Sequence, residues 1–275
     1  MELSKSSSAL WREITGSTKL CAILADPVHH LRSPHAFNAL MGQWNKDALL
    51  VPLHVAPDQL DAVIGGLRQT KNLAGFLVTI PHKSSVLGYC DVASPRASAV
   101  GAVNVVRREA DGRLVGEIFD GIGFVEGLRQ NGIEPNGMRV FLAGAGGAAN
   151  AIAFGLAEAG IASLGVWNRT QSKSEDLCQR LLGLYPQLPI RIATNDPADA
   201  DLVVNATSLG LRDGDLPPLD FEKLQARHIV AEIIMEPVMT PLLIAAETRG
   251  CRISLGAPML DCQLARMADF MGIGR

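Results

Sequence analysis

Residues 139–149 read R-V-F-L-A-G-A-G-G-A-A. Gly144, Gly146 and Gly147 leave the main chain bare, which allows a tight turn and lets a ligand approach the backbone. The apolar run 140–143 before them has the length of a buried parallel strand. After them, 148–159 reads A-A-N-A-I-A-F-G-L-A-E-A, a helix stopped by Gly160. Strand, glycine turn and helix start in succession are the arrangement that holds the pyrophosphate of a dinucleotide. Gly144 serves the turn and Gly146 the close approach. The free N–H groups at the helix start hold the negative charge. The expected phosphate-facing backbone is Gly144, Ala145, Gly146, Gly147 and Ala148. Ala149 stands where the fingerprint accepts alanine for its third glycine.

The next apolar run, 164–167, ends at Asn168-Arg169-Thr170, with Lys173 close behind. An NAD enzyme places an acid here for the ribose 2′-hydroxyl. No acid is present. Two cations and a hydroxyl suit a 2′-phosphate, so NADP(H) is favoured and NAD(H) stays open. Lys173 is a point charge rather than a bidentate fork, which loosens that preference.

These groups need a scaffold, and the rest of the chain supplies one. Apolar runs at 20–24, 49–55 and 75–80 alternate with helical stretches, one starting at Ser33-Pro34 and one over 57–67. Such alternation implies parallel pairing. Ser33 is expected as a helix N-cap with proline at the first helical position. Runs at 103–107 and 114–118 flank Asp111-Gly112, a hairpin signal. Pro135-Asn136-Gly137 reads as a linker before the glycine unit. Strands at 190–193, 202–205, 229–233 and 252–254 and helices at 241–249 and 258–271 follow. Residues 1–18 read as a polar lead-in, frayed or helical.

Composition bounds the rest. The chain has 275 residues, 48% hydrophobic and 19% charged, the balance of a soluble globular protein of one or two domains. A net charge of −3 argues against a nucleic-acid binder. Five cysteines, with no C-x-x-C pair, argue against a disulfide framework or a zinc site and fit a reducing cytoplasm. His29 and His30 are adjacent on a turn without an acidic cluster, so no metal is expected. The longest uncharged run, 140–157, lies inside the strand–turn–helix unit, so no membrane span is expected.

Eight short motifs occur in order: S-P-H at 33–35, V-T-I-P-H-K at 78–83, G-A-V-N at 101–104, Asp120 before G-I-G-F, G-A-G-G-A-A at 144–149, N-R-T at 168–170, N-A-T-S-L-G at 205–210, and T-P-L-L to M-L-x-x-Q over 240–263. Their order and spacing resemble the shikimate dehydrogenase family over nearly the whole chain. The resemblance implies an α/β fold. A substrate-binding catalytic domain with a mostly parallel sheet (1–120 plus 256–275) would join a Rossmann dinucleotide-binding domain (121–255). It implies reversible hydride transfer between NADP(H) or NAD(H) and a hydroxylated cyclic carboxylic acid of the shikimate pathway of aromatic amino acid biosynthesis, by a monomer or homodimer. Lys83 and Asp120 match the catalytic pair. A group that takes the hydroxyl proton is what oxidation of a secondary alcohol requires. Ser33, Thr79, Asn104 and Gln263 match substrate contacts, although Ser33 also suits an N-cap, Thr79 a β-branched strand position and Asp120 a helix start. Gln263 sits on an otherwise apolar helix, where a buried amide needs a partner. Asn205, Ala206, Thr207 and Ser208 would face the cofactor from a strand's carboxyl end, and Gly256 would approach the nicotinamide.

The chain departs from the family where Leu31, Leu77, Ile118, Phe119 and Met235 replace polar residues and Pro258 stands in G-A-P-M-L. Losing one hydrogen bond to a charged group costs about 1.5–3 kcal/mol, so the substrate is expected to be turned over weakly or to be a relative such as quinate. A non-catalytic nucleotide or metabolite sensor on the same fold is the alternative. Glutamyl-tRNA reductase shares the glycine turn but requires a nucleophilic cysteine in a context absent here.

Overall fold

Short apolar strands alternate with helices to build two sheets in the computed structural model, which describes residues 14–29 and 31–275. His30 and most of the lead-in expected over 1–18 lie outside the described residues. The chain divides into two units. Of the described residues, one holds those up to 93 with 103–117 and 264–275, and the other 94–102 and 118–263.

The first unit carries β1 (Lys19–Ala25), β2 (Ala48–His54), β3 (Leu73–Val78), β4 (Val92–Ala93), β5 (Val105–Arg108) and β6 (Leu114–Glu117). They lie in the order β2-β1-β3-β5-β6-β4. β1 pairs in parallel with β2 and β3, because helices α1 (Ser33–Gln43) and α2 (Leu60–Gln69) carry the chain back between them. β5 runs antiparallel to both β3 and β6. The hairpin turns at Asp111-Gly112, with Gly112 at φ 89°, as that dipeptide suggests. α1 buries Phe37 and Met41, one turn apart, and α2 buries Leu60, Ile64 and Leu67 on one face. Gly75 lets the chain's last residues reach β3: a Cβ there would stand 2.2 Å from the Val106 carbonyl oxygen and 2.9 Å from Met271 Sδ.

Two local expectations change. Ser33 is not the N-cap of α1. Arg32 is, because its carbonyl already accepts the Ala36 N–H, and Ser33 and Pro34 are the first helical residues. β3 stops at Val78 instead of residue 80, because the His82 N–H turns back to the Thr79 carbonyl (2.9 Å) and opens α3 (Lys83–Leu87). Besides α3 and a 3-10 turn at 221–223, two short elements were not anticipated, β4 and α4 (Pro95–Val100). The second was signalled by Ser94-Pro95, and the Ser94 hydroxyl does accept the Ala97 N–H at 3.0 Å.

The second unit carries β7 (Arg139–Ala143), β8 (Ser163–Trp167), β9 (Ile190–Ile192), β10 (Leu202–Asn205), β11 (Ile229–Glu232) and β12 (Arg252–Ser254). All pair in parallel in the order β12-β11-β10-β7-β8-β9. This is the doubly wound order of a Rossmann sheet, reversing between β7 and β10. One face packs Phe141, Val203 and Val230 against Leu242, Leu243 and Ala246 of α8 (Pro241–Thr248). α6 (Gly147–Glu158) buries Ala149, Ile152, Ala153 and Leu156. α5 (Asp120–Gln130) lies on α6 with backbones touching. A Cβ on Gly121 would stand 2.1 Å from the Ala151 carbonyl oxygen, and one on Gly155 2.7 Å from Gly121. α7 (Gln171–Leu184) follows β8. α9 (Ala257–Phe270) starts in this unit, and its residues from 264 onward belong to the first.

β7 and the turn before β10 are pinned at their amino ends by one ion pair. Asp201 accepts from Arg139 Nη2 (2.6 Å), Nε (3.0 Å) and backbone N–H (2.9 Å). The Arg139 guanidinium holds the Asp201 carboxyl down at about 2. A depressed carboxyl stabilises the fold above its ordinary range and loses that contribution as pH falls through its folded value. The pair is partly exposed, so the contribution is at most about 1 kcal/mol. Melting curves of the wild type and Asp201→Asn should differ near neutral pH and converge as pH drops from about 4 to about 2. A constant gap across that range would remove Asp201 from the acid response.

Candidate active site

The residues singled out for cofactor binding gather at the carboxyl ends of the second sheet. Ala143, Asn205 and Glu232, the last residues of β7, β10 and β11, lie side by side in register. This is the edge at which open α/β sheets bind ligands, at the point where strand order reverses. The Gly144 N–H donates to the Trp167 carbonyl (2.7 Å), and the Ala206 N–H donates to the Ala143 carbonyl (2.8 Å). The glycine turn is thereby held between the ends of β8 and β10.

Gly144 is required there on two counts. Its φ is 118°, and a Cβ would meet the Ala206 carbonyl oxygen at 2.8 Å. Gly146 is different. It is exposed, its backbone is extended at the N-cap of α6, and nothing stands within 4 Å of where its Cβ would be. The first N–H groups of α6 have no partner within their helix. A bare step of backbone beside open space at a helix start fits a diphosphate, so the residues present suit the dinucleotide that the sequence implies. Ala145 and Ala149 are buried, whereas Gly147 and Ala148 are half-buried in the first turn. Gly256 also admits no side chain: a Cβ would stand 2.5 Å from the Ile234 carbonyl oxygen.

At the end of β8, Asn168 Nδ2 donates to the Thr170 carbonyl (2.9 Å) and shapes the step into α7. Arg169, Thr170 and Lys173 are exposed. Among the described residues neither Arg169 nor Lys173 makes an ion pair. Thr207 is half-buried and Ser208 exposed.

The loop carrying them is set by a buried cluster around Asn205 whose acid, Glu232, sequence reasoning missed. Asn205 Nδ2 donates to both oxygens of Glu232 (3.1 and 2.9 Å) and to the Leu209 carbonyl (3.1 Å). Asn205 Oδ1 accepts from the Thr207 N–H (3.1 Å) and hydroxyl (2.7 Å). The available signal was an acid inside the apolar run I-V-A-E-I-I, where a charge needs partners.

The first unit gathers Thr79, Lys83 and Asn104 at the end of β3. The Val78 N–H donates to the Asn104 carbonyl (2.8 Å), the Thr79 N–H to the Leu24 carbonyl (3.1 Å), and the Val103 N–H to the Lys83 carbonyl (3.0 Å). Asn104 is 2% exposed and Lys83 half-buried. His82 was also missed as a structural residue. Its ring is buried and Nε2 lies 2.7 Å from the Val55 carbonyl, which fixes that nitrogen as the protonated donor. The turn leading into Lys83 is thereby anchored to the chain beyond β2. Ser33 is half-buried in the first turn of α1.

Asp120 and Gln263 belong to the second unit. Asp120 is the first residue of α5, with Phe119 as N-cap, and is 3% exposed. Gln263, 5% exposed, packs over Gly123 of α5, whose added Cβ would meet Gln263 Cβ at 3.1 Å. Lys83 and Asp120, paired by resemblance, therefore come from different units. Of the apolar departures, Leu77 and Ile118 are fully buried, whereas Leu31, Phe119 and Met235 are half-buried. Among the described residues no cluster of metal-ligating side chains occurs, and no helix is long and apolar enough to cross a membrane.

Comparison with known proteins matches residues 23–106 to the shikimate dehydrogenase substrate binding domain and 128–210 to shikimate/quinate 5-dehydrogenase. Shikimate dehydrogenase (NADP(+)) of Lysinibacillus sphaericus is 37% identical over 243 residues, 88% of this chain and 87% of that one. The crystal structure of shikimate 5-dehydrogenase from Listeria monocytogenes, in complex with shikimate and NAD, superposes with a TM-score of 0.84 at 29% identity, covering 95% of this chain and 94% of that one. The Thermus thermophilus enzyme, in complex with NADP(H) and shikimate, superposes at 0.82 and 31% identity, covering 92% and 93%. With a Rossmann sheet, an open glycine step and these relatives, the chain belongs to the shikimate dehydrogenase family of oxidoreductases.

Proposed function

We propose that the protein oxidises a ring hydroxyl of shikimate, or of a close relative such as quinate, to the ketone and runs the reverse reduction, with NADP(H) preferred. The bound nicotinamide supplies the hydride acceptor or donor. Gly144, Ala145, Gly146, Gly147 and Ala148 hold the diphosphate through backbone and helix N-terminus. Asn168, Arg169, Thr170 and Lys173 receive the adenosine ribose and its 2′-phosphate. Ala206, Thr207, Ser208 and Gly256 flank the nicotinamide half. Ser33, Thr79, Asn104 and Gln263 orient the ring acid. Lys83 takes the hydroxyl proton at Nζ during oxidation and returns it during reduction, and Asp120 orients the hydroxyl and the lysine.

The observation that carries this reading is the open step at Gly146, backed by the Gly144 contact with the 206 carbonyl. Relatives named shikimate dehydrogenase (NADP(+)) support the substrate class. We place the protein in the cytoplasm, which suits five cysteines that form no disulfide, as a monomer or homodimer. The half-buried Leu31, Phe119 and Met235 favour a second reading, in which the preferred substrate is a relative of shikimate. Initial rates with shikimate and quinate, each against NADP⁺ and NAD⁺, test both. Efficient shikimate turnover with NADP⁺ supports the first, and quinate preference the second. NADPH binding without turnover of either acid overturns both.

A further inference from the structure

Glu232 ends β11 and is 1% exposed. Four donors converge on its carboxylate. The backbone N–H groups of Ile233 and Ile234 donate to Oε1 (2.8 and 3.1 Å), Thr240 Oγ1 donates to Oε2 (3.0 Å), and Asn205 Nδ2 donates to both oxygens. A lone buried charge is costly, and one satisfied by this many donors rigidifies whatever carries them.

What carries them is the backbone that borders the proposed cofactor site. Through Asn205, Glu232 shapes residues 205–209, because the same asparagine binds the Thr207 N–H, the Thr207 hydroxyl and the Leu209 carbonyl. That segment includes the Ala206 carbonyl on which Gly144 packs. Through its own two amides, Glu232 fixes 233–234, and the Ile234 carbonyl is the atom that closes on Gly256. Thr240 ties the same carboxylate to α8, where its hydroxyl also accepts the Leu243 N–H. One side chain thus links the backbone at 144, 205–209, 233–234 and 256.

We propose that Glu232 is the positioning residue of the dinucleotide site: without touching the cofactor, it sets through Asn205 and two backbone amides the loop shapes that the cofactor meets. This rests on the reading that those loops hold NADP(H). Burial pushes the Glu232 carboxyl up from its usual range, while its donors pull it down.

Glu232→Gln keeps size and removes one acceptor oxygen, so an amide NH₂ then faces Asn205 Nδ2 together with either the Thr240 hydroxyl or the Ile233 and Ile234 N–H groups. The expected result is an NADPH Kd, read by nicotinamide fluorescence on the full chain, raised about tenfold, which is about 1.4 kcal/mol. The KM for NADP⁺ should rise with it and the KM for shikimate stay unchanged. Glu232→Asp, which keeps the charge, should fall between the two. A role in fold stability alone would lower Tm and leave the Kd of the folded protein unmoved, and that result overturns the proposal. Should Glu232→Gln not fold, Glu232→Asp and Asn205→Ala carry the test, and wild-type affinity in either overturns it. Failure of all three to fold assigns the cluster to stability and also overturns it. Wild-type protein without NADPH affinity overturns the cofactor reading and this proposal together, whereas wild-type affinity retained in folded Glu232→Gln overturns this proposal alone.

Discussion

Lys83→Ala is expected to lower kcat by about 10²- to 10⁴-fold, the range for removing a positioned acid–base group, while NADPH affinity stays at its wild-type value. The two readouts separate because Lys83 sits in the first unit, whereas the glycine turn, the N-R-T step and the 205–210 loop all sit in the second. The turn that presents Lys83 is anchored independently of the lysine. His82 holds the Val55 carbonyl, and the Lys83 carbonyl accepts from Val103. Truncating the side chain therefore removes the amine and leaves its backbone seat in place. Pre-steady-state measurement of NADPH formation, beside a fluorescence titration of NADPH, reads both quantities. A kcat within a few-fold of wild type would take Lys83 out of the proton path. An equal loss of cofactor affinity would mean that the substitution had disturbed the fold. Asp120→Asn should show the same pattern with a smaller loss, since in this reading the carboxylate orients the reacting groups and does not take the proton itself.

The strand, glycine turn and helix from 139 to 158 were legible because their signals are backbone signals. An apolar run, glycines and a helix start appear in the sequence at the spacing the fold needs, and β7, Gly144, Gly146 and α6 stand within a residue or so of where they were read. Helix and strand types came through for the same reason: periodicity and turn residues act locally. What stayed hidden depends on contacts between distant residues. Nothing near Glu232 reveals that Asn205 and Thr240 will meet it, so it passed as one more strand residue. Gly121 and Gly155 touch only because α5 and α6 cross there. Ser33 resembled an N-cap because serine before proline often is one, but the helical backbone already begins at Arg32. α4 spans six residues, too few to show a helical period, and only its Ser94-Pro95 start betrays it. The site residues divide in the same way. The resemblance named Thr79, Lys83 and Asn104 singly, while their joining through strand-end hydrogen bonds comes from β3 lying between β1 and β5.

The two turn glycines differ in kind, and paired substitutions should show it. Gly144→Ala places a Cβ 2.8 Å from the Ala206 carbonyl oxygen on a residue at φ 118°. Side chains other than glycine hold such a backbone only at a cost of about 1–3 kcal/mol, and the carbonyl in the way belongs to a strand end tied down by Ala143 and Asn205. Tm and NADPH affinity should therefore fall together. Gly146→Ala meets neither obstacle, since its backbone, at φ −85° and ψ −177°, suits any residue and the space around its Cβ is open. Its Tm should match the wild type. The added methyl, however, occupies the side from which a diphosphate would approach the first amides of α6. NADPH Kd should rise about a hundredfold, equivalent to about 2.8 kcal/mol. Thermal melts and fluorescence titrations of both variants decide the matter. Undiminished NADPH binding in Gly146→Ala would move the diphosphate away from this turn. A lowered Tm in Gly146→Ala would mean that the open step serves the fold. Affinity lost without stability at 146, and both lost together at 144, is the outcome that follows when one glycine makes the turn and the other leaves it bare for a ligand.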